Sequence, residues 1–347
     1  MKALISLAAL VIGTVAFAPP AQAVTRVFLL GGQSNMAGLG GYDVPVPPTY
    51  GTPPDTLNLG TPPANVFFWN YNTPTPTTAW PCDHQVCPGV GNGWVPLTPT
   101  LGVFDSPSQP DTFGPELSFG HRLSQLFPTD QIYLVKQAVT ATDLAVDWKP
   151  GTPGGVMYTR FRERVDAALL NLTGSGATPV ISGMAWMQGE SDALNLVPGA
   201  AAAYETNLLS FIQNVRTVYG APDMPFVMGS ILPYWDSLGT VRSAQANVAA
   251  MPGMNVALVD TGSFSTLPSG YPGHFGTQGQ LALGMAFANE IYNLTPVPEP
   301  QAYALALAGL GLVAFAARRR RGGHRGGQVL PFACRKPDLA RTPGSAL

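Results

Sequence analysis

Apolar runs of strand length recur along the chain, each followed by a longer stretch with helical spacing. The runs are Val27–Leu30, Gln131–Val135, Pro179–Trp186, Pro225–Ile231 and Asn255–Asp260, with a shorter one at Asn65–Trp69. Between them, apolar positions recurring every three or four residues predict helices near 115–127, 157–172, 200–218, 238–250 and 277–292. Strands separated by helix-length segments need crossover connections, and these favour a mainly parallel sheet covered on both faces. The pattern therefore predicts an α/β fold, a three-layer α/β/α sandwich with a mainly parallel, flavodoxin-like sheet. No internal repeat stands out.

The pattern changes at both ends. Residues 1–23 start with a lysine, run through Leu4–Ile12 and close on Ala21-Gln22-Ala23, the three parts of a secretory signal peptide. Pro19-Pro20 interrupts the run before it reaches the ~20 apolar residues of a membrane span. The mature domain is expected at 24–294. Within it, 40–109 is a Pro/Gly-rich insertion with no helical periodicity, which implies a functional loop or short strands. Trp69, Tyr71, Trp80 and Trp94 lie there and suit either sugar rings or packing of the loop onto the body. At 295–321, Pro298-Glu299-Pro300 precedes a nearly unbroken apolar stretch from Ala302 to Ala317 and the cluster Arg318–Arg321. As a helix that stretch would span ~24 Å, short for a permanent crossing, and the arginines would place its C-terminal end in the cytoplasm. Residues 322–347 are basic and Gly/Pro-rich, and are expected to be disordered.

Composition narrows the functional classes. Charged residues make up 11% of the 347 and the net charge is −2, which gives no basic face for nucleic acid. The 46% hydrophobic content can bury a substantial core, and the 39 glycines and 35 prolines point to stiff, irregular loops around it. Of three cysteines, Cys82 and Cys87 are close enough in an exported chain to form a disulfide. A metal site using Asp83 and His84 beside them lacks a second Cys/His pair. No metal or cofactor is expected.

The candidate chemistry starts where the first strand ends, at Gly31-Gly32-Gln33-Ser34-Asn35-Met36-Ala37-Gly38. A hydroxyl on a tight turn at a strand's C-terminal edge stands where α/β folds place their reactions, so Ser34 is the candidate nucleophile. Asn35 is expected to fix the turn. A serine needs a base, and the chain has four histidines. His324 lies beyond the arginines, His84 between the cysteines, and His121 inside a helical pattern where a surface position is the default. His274 is left in a loop between a strand and a helix, and is the candidate base.

Three blocks carry a resemblance: Gly-Gln-Ser-Asn-Met-Ala-Gly at 32–38, Gly114–Gly120, and Trp186–Ala193 with Gln188-Gly189-Glu190. Together with Gly273-His274-Phe275, they resemble the sialate O-acetylesterase/carbohydrate esterase family 6 group of SGNH hydrolases, from about Val24 to about Tyr292. The resemblance implies the SGNH fold and a secreted serine esterase that removes acetyl groups from sugars through an acetyl-Ser34 intermediate. It also implies His274 as base, an oxyanion hole of Ser34 N–H, Gly114 N–H and the Gln188 amide, and no cofactor. Members of the group commonly place an aspartate three residues before the histidine, where this chain has Tyr271. Glu190 is the expected substitute, with Asp192 and Asp260 as alternatives. Loss of that aspartate also admits a catalytically impaired, surface-displayed carbohydrate-binding protein of the same fold.

The C-terminal pattern resembles the PEP-CTERM sorting signal of Gram-negative bacteria. It implies export to the periplasm or cell surface, processing by exosortase-like machinery, and membrane contact through the C-terminal hydrophobic segment alone. The expected partner is otherwise an acetylated carbohydrate, with no nucleic acid.

Overall fold

The computed structural model describes residues 23–38, 58–70, 93–99, 113–267, 272–296 and 309–315. The first half of the domain contributes β1 (Thr25–Gly32), α1 (Ser34–Ala37), β2 (Val66–Asn70), β3 (Gly93–Pro96), α2 (Glu116–Leu126), β4 (Gln131–Ala138) and α3 (Val156–Gly174). The second half contributes β5 (Pro179–Met187), α4 (Glu190–Ala193), α5 (Ala200–Val218), β6 (Phe226–Gly229), α6 (Thr240–Ala249), β7 (Val256–Val259) and α7 (Thr277–Leu294). The strands and long helices expected from the apolar pattern are all present. The single-turn helices α1 and α4 and the strand β3 were not foreseen.

The seven strands form one sheet in the order β3-β2-β4-β1-β5-β6-β7. Every pairing is parallel except that of β2 with β3. β1 lies between β4 and β5, strands that come later in the chain, so the sheet grows in opposite directions from it. The C-terminal end of such a strand is where α/β sheets open a crevice.

Successive side chains on a strand point to opposite faces, and both faces are filled. On one, Phe28 of β1 meets Phe119 of α2 edge-on at 5.9 Å, and Ile291 of α7 takes the space where a Cβ on Gly183 of β5 would stand, 2.9 Å from it. α2 and α7 pack against each other in that layer. On the other face, Trp186 of β5 lies 4.6 Å from Phe211 of α5 and 5.0 Å from Trp148. Burying each such aromatic contributes about 2–3 kcal/mol.

β2 and β3 come from the expected insertion and extend the sheet edge. Trp69 is buried, and Trp94 bridges it to Tyr133 of β4 with centroid distances of 4.8 and 4.7 Å. Both tryptophans therefore pack this edge. Tyr71, Trp80, Cys82, His84 and Cys87 lie outside the described residues, as do residues 1–22 and 322–347.

The chain divides into compact units after Thr295. In the second unit, residues 309–315 are helical and exposed, and the rest of the expected hydrophobic helix lies outside the described residues. Among the described residues no helix is long and apolar enough to cross a membrane.

Candidate active site

β1 ends at Gly32, whose φ of +149° and contact with β5 exclude other residues, since a Cβ there would stand 2.0 Å from the carbonyl oxygen of Met187. Gln33 N–H still donates to that oxygen at 2.9 Å, and the chain then turns into α1 with Ser34 as its first residue. The turn closes when Gly38 N–H donates to Ser34 O at 3.1 Å, with Gly38 at φ +107°. Ser34 is thus held at the C-terminal end of the central strand and is 2% exposed.

At the end of the neighbouring strand, Gly189 at φ +138° turns β5 into α4, and Glu190 opens that helix. Glu190 is 1% exposed. Its Oε1 accepts Nδ2–H of Asn35 at 3.0 Å. Gln33 Oε1 can accept from Gln188 Nε2–H and Ser191 N–H at 3.3 and 3.4 Å, but the shorter contacts favour its nitrogen at that place, donating to Thr142 O at 3.0 Å and to Glu190 Oε2 at 3.2 Å. The residues on either side of Ser34 therefore both hold Glu190. Burial pushes the Glu190 carboxyl up to about 7, against the lowering effect of its own backbone N–H and of Asn35.

His274 enters from the loop before α7. Asn35 ties this loop to the serine turn: its Nδ2 donates to Gly273 O at 3.1 Å, and its Oδ1 accepts the N–H of Phe275 at 3.0 Å. Trp235 braces it from outside, with Nε1–H donating to Gly273 O at 2.7 Å and the indole 5.6 Å from the imidazole. A Cβ on Gly273 would stand 2.3 Å from that indole, so the glycine before His274 is what lets Trp235 approach. Tyr271 lies outside the described residues.

Two expected oxyanion donors are engaged within the protein. Gly114 N–H donates to Glu116 Oε1 at 2.7 Å. Gln188 is fully buried, and its two N–H groups serve Asp192 Oδ2 at 2.6 Å and Thr142 O at 3.1 Å. The reason is local: each sits beside a buried carboxylate that needs donors. Of the three expected donors, the Ser34 N–H alone is given no acceptor among the described residues.

The alternative acids are placed elsewhere. Asp192 binds the backbone N–H groups of Leu144 and Ala145 at 2.9 and 3.2 Å, and burial raises its carboxyl to about 6. Asp260 is exposed and accepts the N–H of Gly262 at 2.9 Å. His121, expected on the surface, is half-buried, with Nε2 lacking a partner and burial lowering its pKa.

One buried pair escaped the sequence reading. Lys136 Nζ lies 2.6 Å from Glu116 Oε2 and donates to Ala37 O at 3.0 Å, joining α2 to the end of the serine turn. Its signal was a lysine directly after the apolar run Gln131–Val135, still inside β4. Trp235 had no comparable signal. Among the described residues no group of three or more His, Cys, Asp or Glu could hold a metal ion.

The family described as carbohydrate esterase, sialic acid-specific acetylesterase matches residues 24–293. The chain belongs to this family. A PEP-CTERM protein-sorting motif matches residues 296–321. A probable carbohydrate esterase of Arabidopsis thaliana is 26% identical over 272 residues, covering 78% of this chain and 90% of the relative. Among solved structures, an Arabidopsis thaliana protein is similar with a TM-score of 0.56 and 23% identity, covering 78% of this chain and 98% of the other. NanS is similar with a TM-score of 0.56 and 16% identity, covering 78% and 98%. These likenesses agree with the SGNH hydrolase fold of this esterase domain.

Proposed function

We propose that this carbohydrate esterase removes O-acetyl groups from acetylated sugars or polysaccharides outside the cytoplasm, through an acetyl-Ser34 intermediate. The observation that carries this reading is the junction of the Ser34 turn with the His274 loop through the Asn35 side chain. His274 takes the proton from Ser34 Oγ as the oxygen attacks the acetyl carbonyl carbon. The tetrahedral intermediate collapses with that proton passing to the leaving sugar oxygen. Water, deprotonated by the same imidazole, then attacks the acetyl group and releases acetate, and the proton returns to Ser34. The Ser34 N–H meets the oxyanion, and Gly114 N–H joins it by sharing its bond to Glu116. The Gln188 amide shapes this pocket through Asp192 and Thr142. Glu190 is the carboxylate that supports the pair.

Export follows from the sorting motif, with 302–317 as a transient anchor before processing. Acetate release from 4-nitrophenyl acetate and acetylated xylan, by the full-length chain and by Ser34→Ala, tests the reading. Turnover that vanishes in the variant supports it. A folded parent without turnover overturns it in favour of carbohydrate binding.

A further inference from the structure

Glu190 is one carboxylate serving two amides. Asn35 and Gln33, which flank the nucleophile, donate to its two oxygens. Asn35 uses its remaining capacity on the histidine loop, giving a hydrogen to Gly273 O and accepting one from Phe275 N. Every polar atom of the Asn35 amide is thus assigned: the nitrogen faces two acceptors and the oxygen faces a donor. Only one orientation satisfies them, and Glu190, at 3.0 Å, is the side chain that anchors the amide in it beside the backbone groups of the histidine loop. Resting on the esterase reading above, we infer that Glu190 is a positioning residue that acts on His274 through Asn35, holding base and nucleophile in register. Its role is then to accept hydrogen bonds, not to bear charge beside the imidazole.

An acceptor role and a charge role respond differently to substitution. A glutamine at 190 keeps an oxygen for Asn35, whereas a carboxylate bonded directly to a catalytic imidazole loses roughly 10⁴-fold in kcat when made an amide. Misplacing a reacting group by ~1 Å costs about 100-fold. An aspartate at 35 sets an oxygen against Glu190 Oε1 and Gly273 O, and an amide at 190 relieves part of that conflict.

The test uses the full-length chain and 4-nitrophenyl acetate, with thermal melts confirming that each variant is folded. Glu190→Gln is expected to lose less than about tenfold in kcat, with the acid limb of its kcat/KM profile little moved. Glu190→Ala and Asn35→Ala are expected to lose about 100-fold in kcat with similar KM. Asn35→Asp is expected to do at least as badly, and to recover when combined with Glu190→Gln. Hydrogen exchange of the Phe275 amide, read without substrate, carries the same order: fast in Asn35→Ala and Glu190→Ala, slow in Glu190→Gln. A ~10⁴-fold loss in Glu190→Gln with the acid limb moved to lower pH would overturn the inference, since that is the mark of a carboxylate bonded to the base. So would unchanged Phe275 exchange in Asn35→Ala, even for a parent without turnover, an outcome that would defeat the esterase reading separately.

Discussion

The carboxamide of Asn35 meets the carboxylate of Glu190 at 3.0 Å in the interior, where two neighbouring strand ends come together. The bond is not strong enough to offset burial, which holds the Glu190 carboxyl at about 7 against an ordinary 4.5, with Asp192 adding to the rise. A folded state that keeps a proton the unfolded chain gives up loses stability as pH rises between those two values and levels off above the higher one. The fall assigned to Glu190 is on the order of 2–3 kcal/mol between about pH 4.5 and pH 7. Urea unfolding across that range is expected to show it, and Glu190→Gln to flatten it down to the smaller slope left by Asp192. A parent whose stability climbs between about pH 5 and pH 7 would contradict this account.

Gly32→Ala tests the turn itself. The added methyl carbon would stand 2.0 Å from the Met187 carbonyl oxygen at a φ of +149°, so both the β1–β5 contact and the backbone must give way. A loss of about 3 kcal/mol or more is expected, read as a lowered denaturation midpoint or as insoluble protein. Gly93→Ala is the control, because nothing lies within 4 Å of a Cβ there, and its midpoint is expected to stay near that of the parent.

The fold was legible where burial imposes a repeat. β1, β4 and β5 read as continuous apolar runs because parallel strands are covered on both faces, and α5 at Ala200–Val218 matches its apolar spacing at both ends. β3 carries no such run and depends on Trp94 meeting Trp69 across the hairpin. In the site, Ser34 and the end of β5 could be placed because each motif directly follows a strand. The partner of Glu190 could not be, because Asn35 lies 155 residues away and linear spacing does not say which side chain a buried carboxylate meets. The engagement of Gly114 N–H was hidden for a similar reason. Glu116 is visible two residues on, but its pairing with Lys136, which turns the carboxylate into a brace, exists only in three dimensions.

That brace can be measured by a double-mutant cycle. Lys136 is fully buried against Glu116, so Lys136→Met leaves a carboxylate uncompensated in the interior. The single variant is expected to lose about 3–5 kcal/mol. Adding Glu116→Gln removes the stranded charge while keeping an acceptor for Gly114 N–H, and is expected to restore a large part of the loss. A double variant as unstable as Lys136→Met alone would mean that packing, not charge, dominates there.

Trp235 offers a graded test of the histidine loop. Trp235→Phe removes the Nε1–H bond to Gly273 O but keeps an aromatic ring beside His274, and Asn35 still donates to the same oxygen. One of two hydrogen bonds to that carbonyl is worth about 1 kcal/mol, so kcat is expected to fall by about fivefold or less. Gly273→Ala acts on the same contact from the other side, forcing the indole away from a Cβ that would stand 2.3 Å from it. Such a displacement moves the loop that carries the base, and the loss in kcat is expected to reach about 100-fold. Steady-state kinetics on 4-nitrophenyl acetate give both values. If Gly273→Ala proved as mild as Trp235→Phe, the loop would owe its position to Asn35 alone, and the glycine before His274 would matter for entry of the substrate rather than for seating the indole.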